Sequence, residues 1–421
     1  MAPPHCSPLV SSCSAPEAPQ AKGRARMGCV ILRLRRPNGA TGLVERMISS
    51  IRIEGYRGFD SFEMNDLGRI NLLVGTNNSG KTSVLEAIYL LSSVGDPTAL
   101  WQLLWRRGER LPPMISATGD RPPRRSPVEL DVSHLFTGHE VQPGSSIRIS
   151  AKNQSPPREI EYAIAELSPR DQAEILGPDD ESGLISRLVL AVSGNPKPAV
   201  GIIPLTRAGG LFSDALDLPA RRARQRASDA SPAYFITTDS FSGDELVSMW
   251  NKIALSPTEG LVLKALQFLD PDIERIAAQA TSAPYYPTQA RGGFIIKRTG
   301  WEHPVPIGSM GDGMWRMLAM AIAITQCKGG VLLVDEIDTG LHYSVMSQMW
   351  SLIHNAAKEL DVQVFATTHS YDCVYSLAQI CSSVDIQKSV TVQRIEPGKR
   401  RSVPYDEDEI TVAASRDIEV R

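Results

Sequence analysis

Eight residues, Gly75-Thr76-Asn77-Asn78-Ser79-Gly80-Lys81-Thr82, stand between a short apolar run, Ile70–Val74, and a stretch, Ser83–Leu91, whose apolar residues recur at helical spacing. They fit the pattern G-x-x-x-x-G-K-[ST]. Strand, glycine loop and helix in that order aim backbone N–H groups and a helix N-terminus at a polyphosphate. The stretch therefore predicts a nucleotide site built from Gly75, Asn77, Asn78, Ser79, Gly80, Lys81, Thr82 and Ser83. Lys81 is expected to reach the β- and γ-phosphates of ATP, and the Thr82 hydroxyl to hold Mg²⁺. A chance glycine-rich turn is the plain alternative, and the flanking strand and helix count against it.

At 421 residues the chain exceeds a single typical core. Hydrophobic residues make up 42% and charged residues 22%, which describes a globular protein, and no apolar run approaches the length of a membrane span. The net charge of −3 hides an asymmetry: residues 1–46 carry seven Lys or Arg against Glu17 and Glu45, a surplus of five, so the remainder carries −8. A nucleic-acid surface would have to be a local patch on an acidic body. Cys6, Cys13 and Cys29 lie in that leader, and Cys327, Cys373 and Cys381 show no zinc spacing. A disulfide framework is not expected, which points to a reducing, cytoplasmic setting with no membrane partner. Residues 1–46 read as a disordered or non-native leader. An over-extended start before Met47 or an organellar targeting peptide would each look like this.

Three regions follow. Residues 47–165 form an N-terminal lobe around the glycine loop, with a helix over Thr98–Arg107 and alternating strands at Val128–Val132, Ser146–Ala151 and Glu159–Ala165. Residues 166–300 carry no nucleotide motif and read as a mixed α/β insertion, a lid or a dimerisation region. Strands are expected there at Leu188–Ser193, Ala199–Pro204 and Tyr234–Thr238, and helices at Gly243–Ala254 and Thr258–Phe268. The basic run Arg221-Arg222-Ala223-Arg224-Gln225-Arg226 is either a solvated face or a phosphate-backbone contact for DNA. Residues 301–421 return to nucleotide chemistry, with continuous apolar runs at Val331–Val334 and Val362–Ala366, as expected of strands buried on both faces. Helices are expected at Gly313–Thr325 and Leu341–Ala357.

The first of those runs ends in Asp335-Glu336. Asp335 suits a Mg²⁺ site reached through water, and Glu336 suits a general base that polarises water for attack on the γ-phosphate. The second ends in Thr367-Thr368-His369, where His369 could sense that phosphate or simply be a satisfied polar group. Ser309-Met310-Gly311-Asp312-Gly313 opens a helix, so it offers either a second anion site or ordinary capping by Ser309 or Asp312.

Ile53-Glu54-Gly55-Tyr56-Arg57-Gly58-Phe59, followed by Gly75 to Ile88, resembles the N-terminus of RecF, SMC and OLD (overcoming lysogenisation defect) ATPases. The double Asn of the loop, Ser309 to Met314, and Val334-Asp335-Glu336-Ile337-Asp338-Thr339-Gly340-Leu341-His342 look most like the OLD group. The resemblance implies an α/β P-loop NTPase with an ABC-type two-lobed head, a mixed central sheet beside an antiparallel β-subdomain. It implies a homodimer of heads, or a higher oligomer, closed around ATP. There Ser309, Gly311 and Gly313 would touch the γ-phosphate bound to the partner's Lys81, and Asp338 would lie in the D-loop at the seam. A Q-loop glutamine is not placed, Gln102 being only a weak candidate. About fifty residues follow Ser370, with no room for the TOPRIM nuclease domain of OLD proteins, so the chain is expected to be the ATPase half alone. Asp406-Glu407-Asp408-Glu409 reads as a helix N-terminal turn rather than a metal site. The resemblance implies a separate nuclease or effector as partner, since family members of that type are often paired with one, as in some anti-phage systems. The alternatives are a RecF-like DNA-repair ATPase, the ATPase subunit of an ABC transporter, and a non-hydrolysing nucleotide scaffold.

Overall fold

A computed structural model describes residues 47–112, 128–152, 157–167, 185–198, 201–212, 232–279, 291–383, 389–416 and 418–420. All belong to the compact unit Ala40–Arg421. The 1–46 leader and the Arg221–Arg226 run lie outside the described residues.

Two six-stranded sheets organise the unit. The first is antiparallel, in the order β2-β1-β5-β6-β7-β8. Its strands are β1 (Ser50–Tyr56), β2 (Phe59–Met64), β5 (Ser146–Lys152), β6 (Arg158–Glu166), β7 (Ile185–Asn195) and β8 (Ile202–Thr206). Alternation explains its single buried face: Ile147, Ile149 and Ala151 of β5 point inward while Arg148 and Lys152 are exposed. Ile53 sits opposite Phe62 on β2 and Ile149 on β5, and all three are fully buried. The hairpin turn between β1 and β2 is tight. Gly55 and Tyr56 stay in β1, and Arg57 takes the left-handed conformation at φ 50°.

The second sheet has the order β10-β14-β15-β3-β16-β17, from β3 (Ile70–Val74), β10 (Ala233–Ile236), β14 (Val331–Val334), β15 (Gln363–Thr367), β16 (Val390–Arg394) and β17 (Val403–Tyr405). All its pairings are parallel except the antiparallel edge β16–β17. Small pairings complete the strands: β4 (Glu129–Asp131) with β9 (Gly210–Phe212), and β11 (Ile273–Ala278) with β12 (Phe294–Arg298) and β13 (Val305–Pro306). The segment 166–300 thus supplies β7 and β8 to the antiparallel sheet and β10 to the edge of the parallel one.

The parallel sheet divides the apolar interior into two cores. Ile70, Leu72, Leu332, Val334 and Val364 face one, while Leu73, Leu333 and Phe365 face the other. That alternation within continuous apolar runs is why those strands read as buried on both faces. On one side α1 (Lys81–Ser92), followed by α2 (Pro97–Arg107), lies between the two sheets. α1 buries Ser83, Val84, Leu85, Glu86, Ala87 and Ile88 in succession, so it is enclosed nearly all round. The other face is covered by α3 (Gly243–Trp250), α4 (Glu259–Gln267), α5 (Asp312–Gln326), α6 (Met346–Glu359) and α7 (Tyr371–Ser383), around the fully buried Trp350. The chain is an α/β protein in which a mixed central sheet stands beside an antiparallel β-subdomain.

Polar residues inside the parallel sheet are fully partnered, as their burial demands. Gln363 staples the start of the unit: its Nε2 donates to the Ile48 and Gly68 carbonyls at 2.8 and 2.7 Å, and its Oε1 accepts from Ile48 N at 2.8 Å. Two helix starts differ from expectation. α5 begins at Asp312, directly after Gly311 at φ 92°. α6 begins only at Met346, because Gly340 at φ 77° and a single 3₁₀ turn at Tyr343–Val345 occupy the preceding residues. The terminal helix α8 (Glu407–Ser415) opens with a reciprocal cap, the Asp406 carboxylate accepting from Glu409 N at 2.9 Å.

Candidate functional site

β3, β14 and β15 run in the same direction, so their carboxyl ends meet along one edge of the sheet, where open α/β sheets form their binding crevices. Each of the three strands delivers one component there. β3 leads into the glycine loop. Gly75 at φ 143° and Gly80 at φ 97° are constrained twice over: a Cβ at Gly75 would meet the Ile395 carbonyl at 2.2 Å, and one at Gly80 the Phe59 ring at 2.3 Å. Lys81 opens α1, buried, its Nζ donating to the Gly75 and Thr76 carbonyls at 2.9 Å each. Burial lowers the Lys81 ammonium below its ordinary range, against the opposing pull of Asp335 and Glu336.

β14 ends in the two carboxylates. Thr82 Oγ1 donates to both Asp335 oxygens at 3.1 Å, joining residues 253 positions apart. β15 ends in Thr367, whose hydroxyl donates to Asp335 Oδ1 at 2.6 Å and accepts from Glu336 N at 2.8 Å. Glu336 itself sits at φ 46°, a left-handed conformation that costs a non-glycine residue about 1–3 kcal/mol unless its surroundings enforce it. Its Oε2 accepts from Thr339 Oγ1 at 3.2 Å.

These groups enclose a cavity of roughly 220 Å³. Its wall holds Asn78, Ser79, Gly80, Lys81, Thr82 and Ser83 from the loop and α1, Asp335 and Glu336 from β14, and Thr367 and His369 from the end of β15. Gly75 and Asn77 do not line it. Burial pulls the His369 imidazole below its ordinary value, the Lys81 charge adds to this, and Glu336, Asp338 and Asp335 oppose it.

Arg107 also lines the cavity, and nothing in the sequence had marked it. It ends α2 and is held by Glu86 of α1, its Nε donating to Oε1 at 2.7 Å, with Nη2 reaching Ser83 Oγ at 3.3 Å. Glu86 is 3% exposed and also accepts from Arg57 Nε at 2.8 Å and Tyr56 OH at 3.1 Å. The buried Tyr56-Arg57 pair therefore supports the wall of the cavity from behind. Thr367 and Arg107 could have been sought as polar residues at strand and helix ends, but no spacing rule singles them out.

Ser309, Gly311 and Gly313 lie away from this cavity. Ser309 and Gly311 are exposed at the start of α5, whose N-terminus carries no side-chain cap from Ser309 or Asp312. Asp312 forms an ion pair with Arg291 instead. Gly313 packs against the next loop, where its Cβ position lies 2.7 Å from the Gly340 carbonyl. Asp338 of that loop accepts from Thr368 Oγ1 at 2.5 Å. Gln102 is outside the cavity, its Oε1 accepting from Tyr89 OH at 2.9 Å. Among the described residues no group of three or more His, Cys, Asp or Glu could hold a metal ion, the acidic turn at Asp406 included. No helix among them is long and apolar enough to cross a membrane.

The arrangement suits Mg²⁺ and a nucleotide. One carboxylate and one hydroxyl, with phosphate and water completing the shell, are what Mg²⁺ takes. The buried Ser79 hydroxyl has no hydrogen-bond partner among the described residues and stands on the cavity wall, where a phosphate oxygen would satisfy it.

The model of one protein family, described as "AAA domain, putative AbiEii toxin, Type IV TA system", matches residues 70–372. An ATP/GTP phosphatase of Helicobacter pylori is 21% identical over 354 residues, covering 80% of this chain and 90% of that protein. The DNA replication and repair protein RecF of an Exiguobacterium species is 40% identical over 45 residues, 11% of this chain and 12% of that one. Among solved structures, an SMC head bound to the C-winged helix domain of ScpA aligns with 85% of this chain and 97% of its own, at 15% identity and a TM-score of 0.39. The SMC head domain from Thermotoga maritima aligns with 85% and 99%, at 12% identity and the same score.

Proposed function

Because this chain belongs to that AAA-domain family, we propose that it binds Mg·ATP in the cavity at the ends of β3, β14 and β15 and hydrolyses it to ADP and phosphate. The observation that carries this is the Thr82–Asp335–Thr367 knot. It ties the loop, the carboxylate pair and the end of β15 into one wall, so that Lys81 and Glu336 face the same space. Asn78 to Lys81 would cradle the β- and γ-phosphates through backbone N–H groups, with the Lys81 ammonium beside them. Thr82, and Asp335 through water, would hold Mg²⁺, which when bound neutralises the β- and γ-oxygens and polarises the γ-phosphorus. Glu336 accepts the proton of the attacking water. His369 hydrogen-bonds the γ-phosphate and orients it.

Ser309, Gly311 and Gly313 support a second element of the reading. They do not line their own cavity, and the start of α5, with Ser309 and Gly311 exposed, carries no side-chain cap. In a homodimer that start completes the partner's site, with Asp338 at the seam. ATP then joins two heads, and hydrolysis releases them. This cycle would gate a separate effector or nuclease, in keeping with a defence role against phage.

The test is Glu336→Gln. Single-turnover hydrolysis is expected to fall about 10²- to 10⁴-fold while ATP binding persists. With ATP, the variant is expected to run at twice the monomer mass in light scattering, and to return to monomer when Lys81→Ala is added. Normal hydrolysis by Glu336→Gln would remove the general base from the reading, and a monomer at saturating ATP would remove the dimer.

A further inference from the structure

Arg316 is the strongest unexplained feature of the molecule. It lies on α5, one turn beyond Gly311–Gly313, and is 3% exposed. Such a buried charge normally faces a carboxylate. Here the hydrogen-bond partners are backbone carbonyls. Nη2 donates to the Asp335 carbonyl at 2.6 Å and to the Glu336 carbonyl at 3.1 Å, and Nη1 donates to the Thr237 carbonyl beyond β10. Nε has no partner among the described residues. Burial lowers the guanidinium to about 10, so it stays charged at neutral pH. A methionine would fill the same volume without burying a charge. What only an arginine supplies here is a rigid fork that joins two segments, Nη2 holding the consecutive carbonyls of Asp335 and Glu336 and Nη1 the Thr237 carbonyl.

Those carbonyls belong to the residues whose side chains face the cavity. Glu336 is the one held left-handed, its N–H fixed by Thr367 and its carbonyl by Arg316. Clamped at both ends, the residue has a fixed backbone from which its side chain projects, and Thr339 Oγ1 holds the carboxylate at Oε2. One clamp, Thr367, belongs to the buried sheet. The other rides on α5, whose N-terminus carries Gly311 and Gly313.

We infer that Arg316 is a positioning residue which makes the aim of Glu336 depend on where the start of α5 sits. A second copy's triphosphate, on engaging that start, sets the base for hydrolysis through a single side chain. Two sites in different protomers are then coupled by a guanidinium that touches neither nucleotide. This rests on the reading of Glu336 as general base and extends it.

The experiment uses the full chain with Arg316→Lys and Arg316→Met. Lysine keeps the charge and one carbonyl contact but loses the fork. Expected for Arg316→Lys is a fall in kcat of about 10- to 100-fold, the scale set by sub-ångström misplacement of a reacting group. KM and the affinity for a fluorescent ATP analogue should stay within about twofold, since uniform binding is untouched. Hydrogen exchange in nucleotide-free protein should accelerate at the amides of residues 336–340 and remain unchanged across α1. Wild-type kcat in Arg316→Lys overturns the inference. So does a parallel loss of nucleotide affinity and α1 protection, which would mark a merely structural arginine. Wild-type protein that hydrolyses no ATP would instead sink the proposed function. The exchange measurement then decides alone: unaltered exchange at 336–340 in both variants overturns the positioning role.

Discussion

A glutamate forced into left-handed backbone geometry is held there by its neighbours, and at Glu336 the neighbours are a threonine and an arginine. Thr367→Val removes the hydroxyl while keeping the shape. It strands a backbone N–H and deprives Asp335 of its shortest hydrogen bond, so a stability loss of about 1–3 kcal/mol is expected in urea titrations. Hydrolysis should fall with it, and Thr367→Ser should restore both. His369 gives a pH signature. Burial and the Lys81 charge hold its pKa below the ordinary value, so in the range where an unfolded histidine begins to protonate the folded ring is still neutral. The unfolded state then binds more protons, and this residue's contribution to stability is present above the ordinary histidine pKa and lost as pH falls below it. Titration of the ring protons by NMR should give a midpoint under about 6.5, and turnover should stay flat from neutral pH down to that midpoint. Of the residues facing the cavity, those on a fixed local spacing were legible in the sequence: Lys81, Thr82, Asp335, Glu336. Thr367 and Arg107 on the wall, and Arg316 behind it, were not, because they act through partners some twenty to thirty positions away, Asp335 and Glu336 for two of them and Glu86 for the third.

Elements were legible where alternation or continuous apolarity is strong. The apolar runs before the glycine loop and before Asp335 are strands of one parallel sheet, as their double-sided burial required. What the pattern withholds is the partner of each strand. Alternation marks β7, β8 and β10 equally well, yet two of them extend the antiparallel sheet and one the parallel sheet. Helix starts were blurred for a related reason: Gly311 and Gly340, both at positive φ, set where α5 and α6 can begin, and a helical periodicity does not reveal that. The close approach of α5 to the loop at Gly340 provides a test at this scale. In Gly313→Ala the new methyl would stand 2.7 Å from the Gly340 carbonyl, so the helix start must shift away from the loop bearing Asp338. Turnover and ATP-dependent association should drop together, with single-head nucleotide affinity unchanged in calorimetry.

At the scale of the whole molecule, the glycine loop and its helix are not an appendage to one sheet. α1 is shared by both, buried against β1, β5 and β6 on one side and β14 and β15 on the other. Occupancy of the cavity therefore reports on the entire unit. With Mg·ATP at a hundredfold excess over Kd, mass action adds about 2.7 kcal/mol to unfolding stability. A single cooperative thermal transition should move upward with it, and Lys81→Ala should abolish the shift.

The enclosure of α1 has one more consequence. A helix sealed between two walls has no private route to solvent, so its backbone protons can be lost only when the body itself comes apart. Behind the exposed loop at Thr76–Asn78, the buried length of that helix is thus expected to be the last part of the protein to breathe. Any choreography that follows nucleotide capture must be carried by the outer helices swinging around a still centre.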